Sequence, residues 1–153
     1  MKNSDDTFGF EKAEDNTGFL LWQVTNLWQR EIKKALEKYA LTHSQYVLLA
    51  SIHWLTLKNR DVTQIVLSSY TKIDPMTTST VLRNLQTKGL LLRQEHSTDT
   101  RAKTVGLTES GKKIIKRAVK TVETFDKNFF EIPGKKTNEF NKQLQSLLVK
   151  AGA

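Results

Sequence analysis

The chain has 153 residues, 26% charged and 38% hydrophobic, with a formal net charge of +8. That is enough for one domain with a real core, too apolar for a disordered segment, and free of any run near the ~20 apolar residues that a membrane span needs. There is no cysteine, which excludes disulfides, thiolate nucleophiles, thiol-based redox sensing and every Cys-containing zinc site.

Residues 1–16 are polar and hold five acids against two bases. They are expected to form a mobile arm and do not have the character of a signal peptide, so the chain is expected in the cytoplasm. Residues 17–153 then carry 22 bases against 11 acids. A body this basic suggests a polyanionic partner.

From Thr17 the pattern turns helical. Leu20, Val24, Leu27, Ile32, Leu36 and Tyr39 form an apolar stripe with one slip, and Phe19, Leu21, Trp22 and Trp28 widen it beyond one face. A helix apolar nearly all round needs more than one partner surface. Thr42 and Gln45 have the spacing of a capping box. The second helix is therefore predicted over about 43–57, burying Val47, Leu48, Ser51, Trp54 and Leu55. A third is predicted from Thr63 to about Ser69, followed by a loosely patterned polar stretch, residues 68–73. Asp74 and Pro75 suit the cap and first turn of a fourth helix, with Thr78, Val81, Leu82 and Leu85 on its inner face.

Gly89 fits the left-handed position after a helix end. An apolar strand, Leu90 to Leu92, a polar loop and a return strand, Thr104 to Leu107, come next. Thr108 opens a long helix to about Phe130, with Ile114, Ile115, Ala118, Val119, Val122, Phe125, Phe129 and Phe130 on its apolar side. Pro133 and Gly134 break it, and a last helix is predicted from Thr137 to Lys150.

Helix, strand, tight basic loop and strand in that order describe a winged helix. Two motifs sharpen this: Leu-x-x-x-Gly-Leu from Leu85 to Leu90, and Asp-x-Arg-x-Lys-x-x-x-Leu-Thr-x-x-Gly from Asp99 to Gly111. At this separation the pair resembles the MarR family of transcriptional regulators. The likeness covers about residues 17–150. It implies a mainly α fold with a small β-hairpin wing, a winged helix-turn-helix flanked by N- and C-terminal dimerisation helices. On that reading residues 17–41 and 108–153 pair in a two-fold homodimer, 42–107 form the DNA-binding lobe, and 1–16 lie outside both. The bare apolar character of the terminal helices independently calls for a second copy.

The candidate DNA-binding residues follow from face and chemistry. Thr77, Ser79, Thr80, Arg83, Asn84 and Thr87 lie away from the inner stripe of the fourth helix. Short hydroxyls reach phosphates, a threonine methyl can meet a thymine methyl, and Arg83 and Asn84 can pair with guanine and adenine. Thr63 could offer a phosphate its hydroxyl and a helix N-terminus. Arg101 and Lys103 share one face of the wing. The resemblance implies that Asp99 holds Arg101 for the minor groove, where negative potential is concentrated. The run Lys112, Lys113, Lys116, Arg117 and Lys120 is expected to be the wet face of a helix, with only the first two, close to the wing, expected to touch backbone.

Trp22, Tyr46, His53, Trp54 and Tyr70 could instead wall an apolar pocket for a small aromatic or amphipathic effector. The histidines His43, His53 and His96 lack ligand spacing, so neither a metal nor a cofactor is expected. No paired-carboxylate motif, nucleophile elbow or phosphate loop suggests an enzyme. The expected function is a repressor that binds double-stranded DNA at a palindromic operator and is released by an effector. The alternative is a winged helix acting through protein contacts, or an activator without an effector.

Overall fold

The computed structural model describes residues 5–95 and 103–152. Among them six α-helices and a two-stranded hairpin follow in the order α1 (Thr17–Leu36), α2 (His43–Leu57), α3 (Gln64–Thr71), α4 (Pro75–Thr87), β1 (Leu91–Glu95), β2 (Lys103–Leu107), α5 (Glu109–Phe130) and α6 (Thr137–Lys150). None of these helices is long and apolar enough to cross a membrane.

Local capping chemistry sets most boundaries. Asn16 caps α1 through Phe19 N–H, and a 3-10 turn over Ala13–Asp15 precedes it. This turn falls within residues 1–16, read from sequence as an arm. Thr42 and Gln45 close a reciprocal capping box at the start of α2, with bonds of 3.1 and 3.0 Å. Asp74 caps α4 with Pro75 in its first turn.

Both sequence motifs have a structural cause. After α4, Leu90 N–H reaches back to Leu85 O and Gly89 N–H to Gln86 O, with Gly89 at φ 73°. This helix closure needs a residue free to adopt positive φ and buries the two flanking leucines against each other. Leu85 and Leu90 are both buried, which accounts for Leu-x-x-x-Gly-Leu. In Leu-Thr-x-x-Gly, Thr108 caps α5 by accepting from Gly111 N–H at 3.0 Å. A Cβ on Gly111 would stand 2.0 Å from the Leu90 carbonyl oxygen, so only glycine lets α5 start this close to the end of α4.

The core gathers Ile32 and Leu36 of α1, Leu48, Leu49, Ile52 and Leu55 of α2, Leu67 of α3, Leu82 and Leu85 of α4, Leu91 and Val105 of the hairpin, and Ile115, Ala118 and Val122 of α5. At about 1.5–3 kcal/mol per fully buried large side chain, this apolar burial is the main force holding the lobe together. Trp54 departs from the expectation of burial: it is 52% exposed. The buried stripe of α2 runs through Leu48, Ile52 and Leu55, one position off Trp54, whose ring lies 4.6 Å from the Lys58 ammonium.

Two further corrections concern boundaries. The helix α3 runs two residues beyond the predicted end, to Thr71. The polar residues there hold the turn into α4. Lys72 takes a left-handed φ of 66°, Ser68 Oγ and Thr78 Oγ1 both donate to Ile73 O, and Ile73 N–H donates to Thr71 Oγ1. The strand β1 begins at Leu91 rather than Leu90, because Leu90 belongs to the helix closure.

The hairpin is antiparallel, pairing Leu91 with Leu107, Arg93 with Val105 and Glu95 with Lys103. A third segment joins it: Val105 N–H donates to Val62 O at 2.8 Å, and Thr63 bridges to Thr104. The wing is thereby tied to the start of α3 as well as to the end of α4.

Candidate nucleic-acid interface

The helix α4 presents two faces. Thr78, Leu82 and Leu85 are buried, while Thr77, Thr80, Arg83, Asn84 and Thr87 are exposed and Ser79 is half-buried. A helix held this way by its core face displays the other on a rigid support. Among the described residues Arg83 and Asn84 make no side-chain hydrogen bond, so their donors and acceptors are unspent.

The hydroxyls of α4 are less free. Thr77 Oγ1 donates to Asp74 Oδ2 at 2.6 Å, and Thr77 N–H donates to Asp74 Oδ1 at 2.8 Å. These bonds, the hydroxyl first, hold the Asp74 carboxyl below the usual carboxylate range. Thr77 therefore offers no free hydroxyl donor. Thr80 Oγ1 donates back to Met76 O at 3.1 Å, which leaves its methyl and an acceptor lone pair. Thr63 Oγ1 accepts from Val66 N–H at 3.2 Å, and its own proton remains available to a phosphate oxygen.

On the wing, Lys103 is exposed. Asp99 and Arg101 fall outside the described residues. Lys112 pairs with Glu109 at 3.3 Å, an exposed i,i+3 contact of small energetic weight, and Lys113 is exposed.

Three features on this side of the molecule were not anticipated from sequence. Ile65 and Met76 are 82% and 83% exposed, lone apolar groups in polar surroundings and of the kind that meets a thymine methyl. Gln64 Nε2 donates to Pro75 O at 3.3 Å and joins the starts of the two helices. Arg93 points inward from β1 and donates from Nη2 to Ser79 O at 3.3 Å. The alternation of strand faces, which puts Arg93 beside buried Leu91, could have signalled it.

The comparisons with known proteins bear on the family and the fold. Residues 37–124 match a family model described as ArnR1-like, winged-helix domain. An uncharacterized HTH-type transcriptional regulator, YdcH of Bacillus subtilis (strain 168), is 40% identical over 91% of this chain and 94% of its own length. Among solved structures, a transcriptional regulator of the MarR family from Rhodococcus sp. RHA1 superposes with a TM-score of 0.79 at 25% identity, covering 90% of this chain and 96% of that one. The chain belongs to the MarR family of winged-helix transcriptional regulators. It is a regulator and not an enzyme. CouR from Rhodococcus jostii RHA1, in a structure bound to p-coumaroyl-CoA, is also similar, with a TM-score of 0.78 at 25% identity over 90% of this chain and 95% of that chain.

In this MarR-family chain the five aromatic residues considered for an effector are spread over three helices. Trp22 on α1, Trp54 on α2 and Tyr70 on α3 are exposed; Tyr46 and His53 are partly buried and lie two turns apart on α2. A cavity of about 640 Å³ between the end of α1 and the start of α2, lined by Lys33, Glu37, His43, Ser44 and Lys88 among others, includes none of the five. Tyr46 belongs to a different polar cluster. Trp28 Nε1 donates to Asp126 Oδ1 at 2.8 Å, and His43 meets the Trp28 ring edge-on at 5.0 Å. Burial, with the Asp126 and Glu123 charges, pushes the Tyr46 phenol up to about 12. Burial depresses His43, and the Asp126 charge opposes it.

The terminal helices leave a broad apolar surface. Phe19, Leu20, Leu21, Trp22, Val24 and Leu27 are exposed on the first half of α1, and α6 has no buried residue at all, with Phe140, Leu144, Leu147 and Leu148 open. The second half of α1 is instead packed, with Ile32 and Leu36 fully buried.

Proposed function

We propose that the chain acts in the cytoplasm as a homodimeric repressor, binding a palindromic operator in double-stranded DNA and leaving it when a small aromatic or amphipathic effector binds. The observation that carries the reading is the outward face of α4, where unspent Arg83 and Asn84 stand beside the Thr80 methyl on a helix fixed by its core side. Arg83 would read a guanine and Asn84 an adenine in the major groove. Thr63 and Ser79 would offer hydroxyls to the phosphates, and Thr77, its hydroxyl engaged by Asp74, would border them without donating. Arg101, held by Asp99, and Lys103 would engage the adjoining minor groove, as the family resemblance implies.

The bare faces of α1 and α6 support pairing of residues 17–41 and 108–153. Soluble monomers rarely leave contiguous apolar patches this large uncovered. In a two-fold dimer the two α4 helices would meet DNA about one helical turn, ~34 Å, apart, with residues 42–107 as the DNA-binding lobe and 1–16 outside both. Release would follow if the effector favours a lobe separation that no longer fits the duplex. The p-coumaroyl-CoA held by CouR supports an aromatic acyl compound as the first ligand to try. Trp22, Tyr46, His53, Trp54 and Tyr70 are the proposed walls.

The deciding experiment is a binding titration against the promoter region of the chain's own operon and a scrambled duplex, across a salt series, with and without p-coumaroyl-CoA. Preference for the promoter duplex, an affinity that falls steeply with salt, and release by ligand are the expected results. Equal binding to both duplexes would remove the operator, and salt-independent binding would remove the phosphate contacts.

A further inference from the structure

Arg93 has an unusual place for an arginine. In β1 it follows Leu91 by two, so both side chains lie on the same face of the hairpin. Leu91 is fully buried, and Val105, the direct cross-strand partner of Arg93, is also buried. A long cation is therefore directed at the seam between wing and α4 rather than at solvent. There Nη2 donates to Ser79 O at 3.3 Å, a carbonyl in the middle of α4. Its Nε is buried without a hydrogen-bond partner. Among the described residues no carboxylate pairs with it.

Stability alone does not account for such a residue. A partly buried guanidinium whose Nε–H is buried and unspent costs free energy, and an apolar side chain of similar length would fill the seam as well or better. What an arginine supplies there, and a methionine does not, is a fixed link. Its planar fork has a defined reach, and it spans from the wing to the backbone of the helix that displays Thr80, Arg83 and Asn84. That bond joins β1 to the body of α4, in addition to the backbone ties at Leu90 and Val62, and so bears on the offset between their contacts in the major and minor grooves.

We infer that Arg93 is a positioning residue for operator selectivity, setting the angle between α4 and the wing without itself touching DNA. This rests on the DNA-binding reading above. Its buried Nε and inward bond argue against a phosphate contact. Selectivity comes from several contacts being met at once, and a change of a few degrees at the seam would misplace the α4 side chains relative to the wing, a loss felt only on a duplex that offers the matching base contacts.

The test uses the full-length protein and a duplex that the wild type selects from a random-sequence library, with a scrambled duplex as control. Variants Arg93→Met and Arg93→Lys are compared for affinity on both duplexes, for the salt slope, and for the urea midpoint. Arg93→Met is expected to keep or raise the midpoint and to lose about tenfold or more in preference for the selected duplex, a loss comparable to one mismatched base pair. Its affinity for scrambled DNA and its salt slope are expected to stay near wild type. Arg93→Lys keeps the charge but has neither the fork nor the reach, so it is expected not to restore selectivity. An equal loss on both duplexes with a salt slope smaller by about one, rescued by Arg93→Lys, would make Arg93 a phosphate contact and overturn the inference. Unchanged selectivity in Arg93→Met would also overturn it, and so would unfolding of both variants, which would make Arg93 a residue that merely holds the fold. A wild type that selects no sequence would refute the proposed function and is distinguishable from all of these outcomes.

Discussion

Gly111→Ala sets two opposed effects of known size against each other. Alanine is favoured over glycine within a helix by about 1 kcal/mol, and Gly111 sits in the first turn of α5. On propensity alone the substitution would stabilise. The added Cβ, however, would lie 2.0 Å from the Leu90 carbonyl oxygen and 3.0 Å from its carbon, far inside ordinary contact. That oxygen cannot swing aside. It accepts from Thr108 N–H at 3.1 Å, while the Thr108 hydroxyl donates to Gly89 O at 2.7 Å. Relieving the clash means lifting the start of α5 off the end of α4 and weakening both bonds, each with a net value of about 1 kcal/mol. Overpacking at buried sites typically costs about 1–3 kcal/mol. With the propensity gain subtracted, a net loss of about 2 kcal/mol is expected. Urea denaturation at fixed protein concentration, followed by far-UV circular dichroism, reads this as a midpoint lower by roughly 1 M for a slope near 2 kcal/mol/M. A midpoint equal to or above that of wild type would refute the claim that Gly111 is required by close backbone approach.

Other expectations follow from the same structure. Arg83→Ala should weaken binding to the selected duplex by about 1–3 kcal/mol and scrambled DNA far less, and Thr80→Ala should show a smaller effect of the same kind; an equal fall on both duplexes would assign these side chains to phosphate. Sedimentation should give twice the 17.5 kDa chain mass, and removal of residues 137–153 should yield dissociation or aggregation, whereas a concentration-independent monomer would rule out pairing. The depressed His43 makes the unfolded chain the better proton acceptor as pH falls below about 6.5, so stability should decline in acid, and His43→Gln should flatten that decline. Tyr46 has the opposite sense: its phenol stays protonated in the folded chain up to about 12, so stability present below pH 10 should drain away as pH rises from 10 to 12. The gap corresponds to at most about 2.7 kcal/mol, reduced to about 1 by solvent at this half-buried site, and Tyr46→Phe should remove the slope in the same urea assay.

Sequence was most informative where the chemistry is local. The limits of α2, the Thr42–Gln45 box, the Asp74–Pro75 start and the Gly89 stop all depend on neighbours within a few residues, and each was readable. The two faces of α4 were readable too, because 3.6-residue periodicity separates Leu82 and Leu85 from Arg83 and Asn84. Tertiary choices were not. Trp54 is apolar enough for the core, yet the stripe through Leu48, Ile52 and Leu55 turns it outward. The polar residues after Leu67 looked irregular because Ser68, Thr71 and Thr78 spend their hydroxyls on a turn rather than on a periodic face. Within the candidate interface, sequence could name the hydroxyl residues but could not say that those of Thr77 and Thr80 are already engaged. Nor could residue spacing bring Asp126 to Trp28, His43 and Tyr46, which meet only once α5 packs across α1 and α2.

The absence of any buried residue in α6 bears on how much of this regulator a cell can keep. A helix of 14 residues is marginal in water on its own, so its order has to be supplied by whatever covers it. In a chain that pairs as proposed, the last helix folds as part of association, and the fraction of folded ends depends on dosage. Newly made chains below the pairing concentration would carry a frayed, apolar tail, the kind of segment that proteases take first. Turnover would then remove unpaired copies selectively and give the regulator a sharp lower limit of abundance.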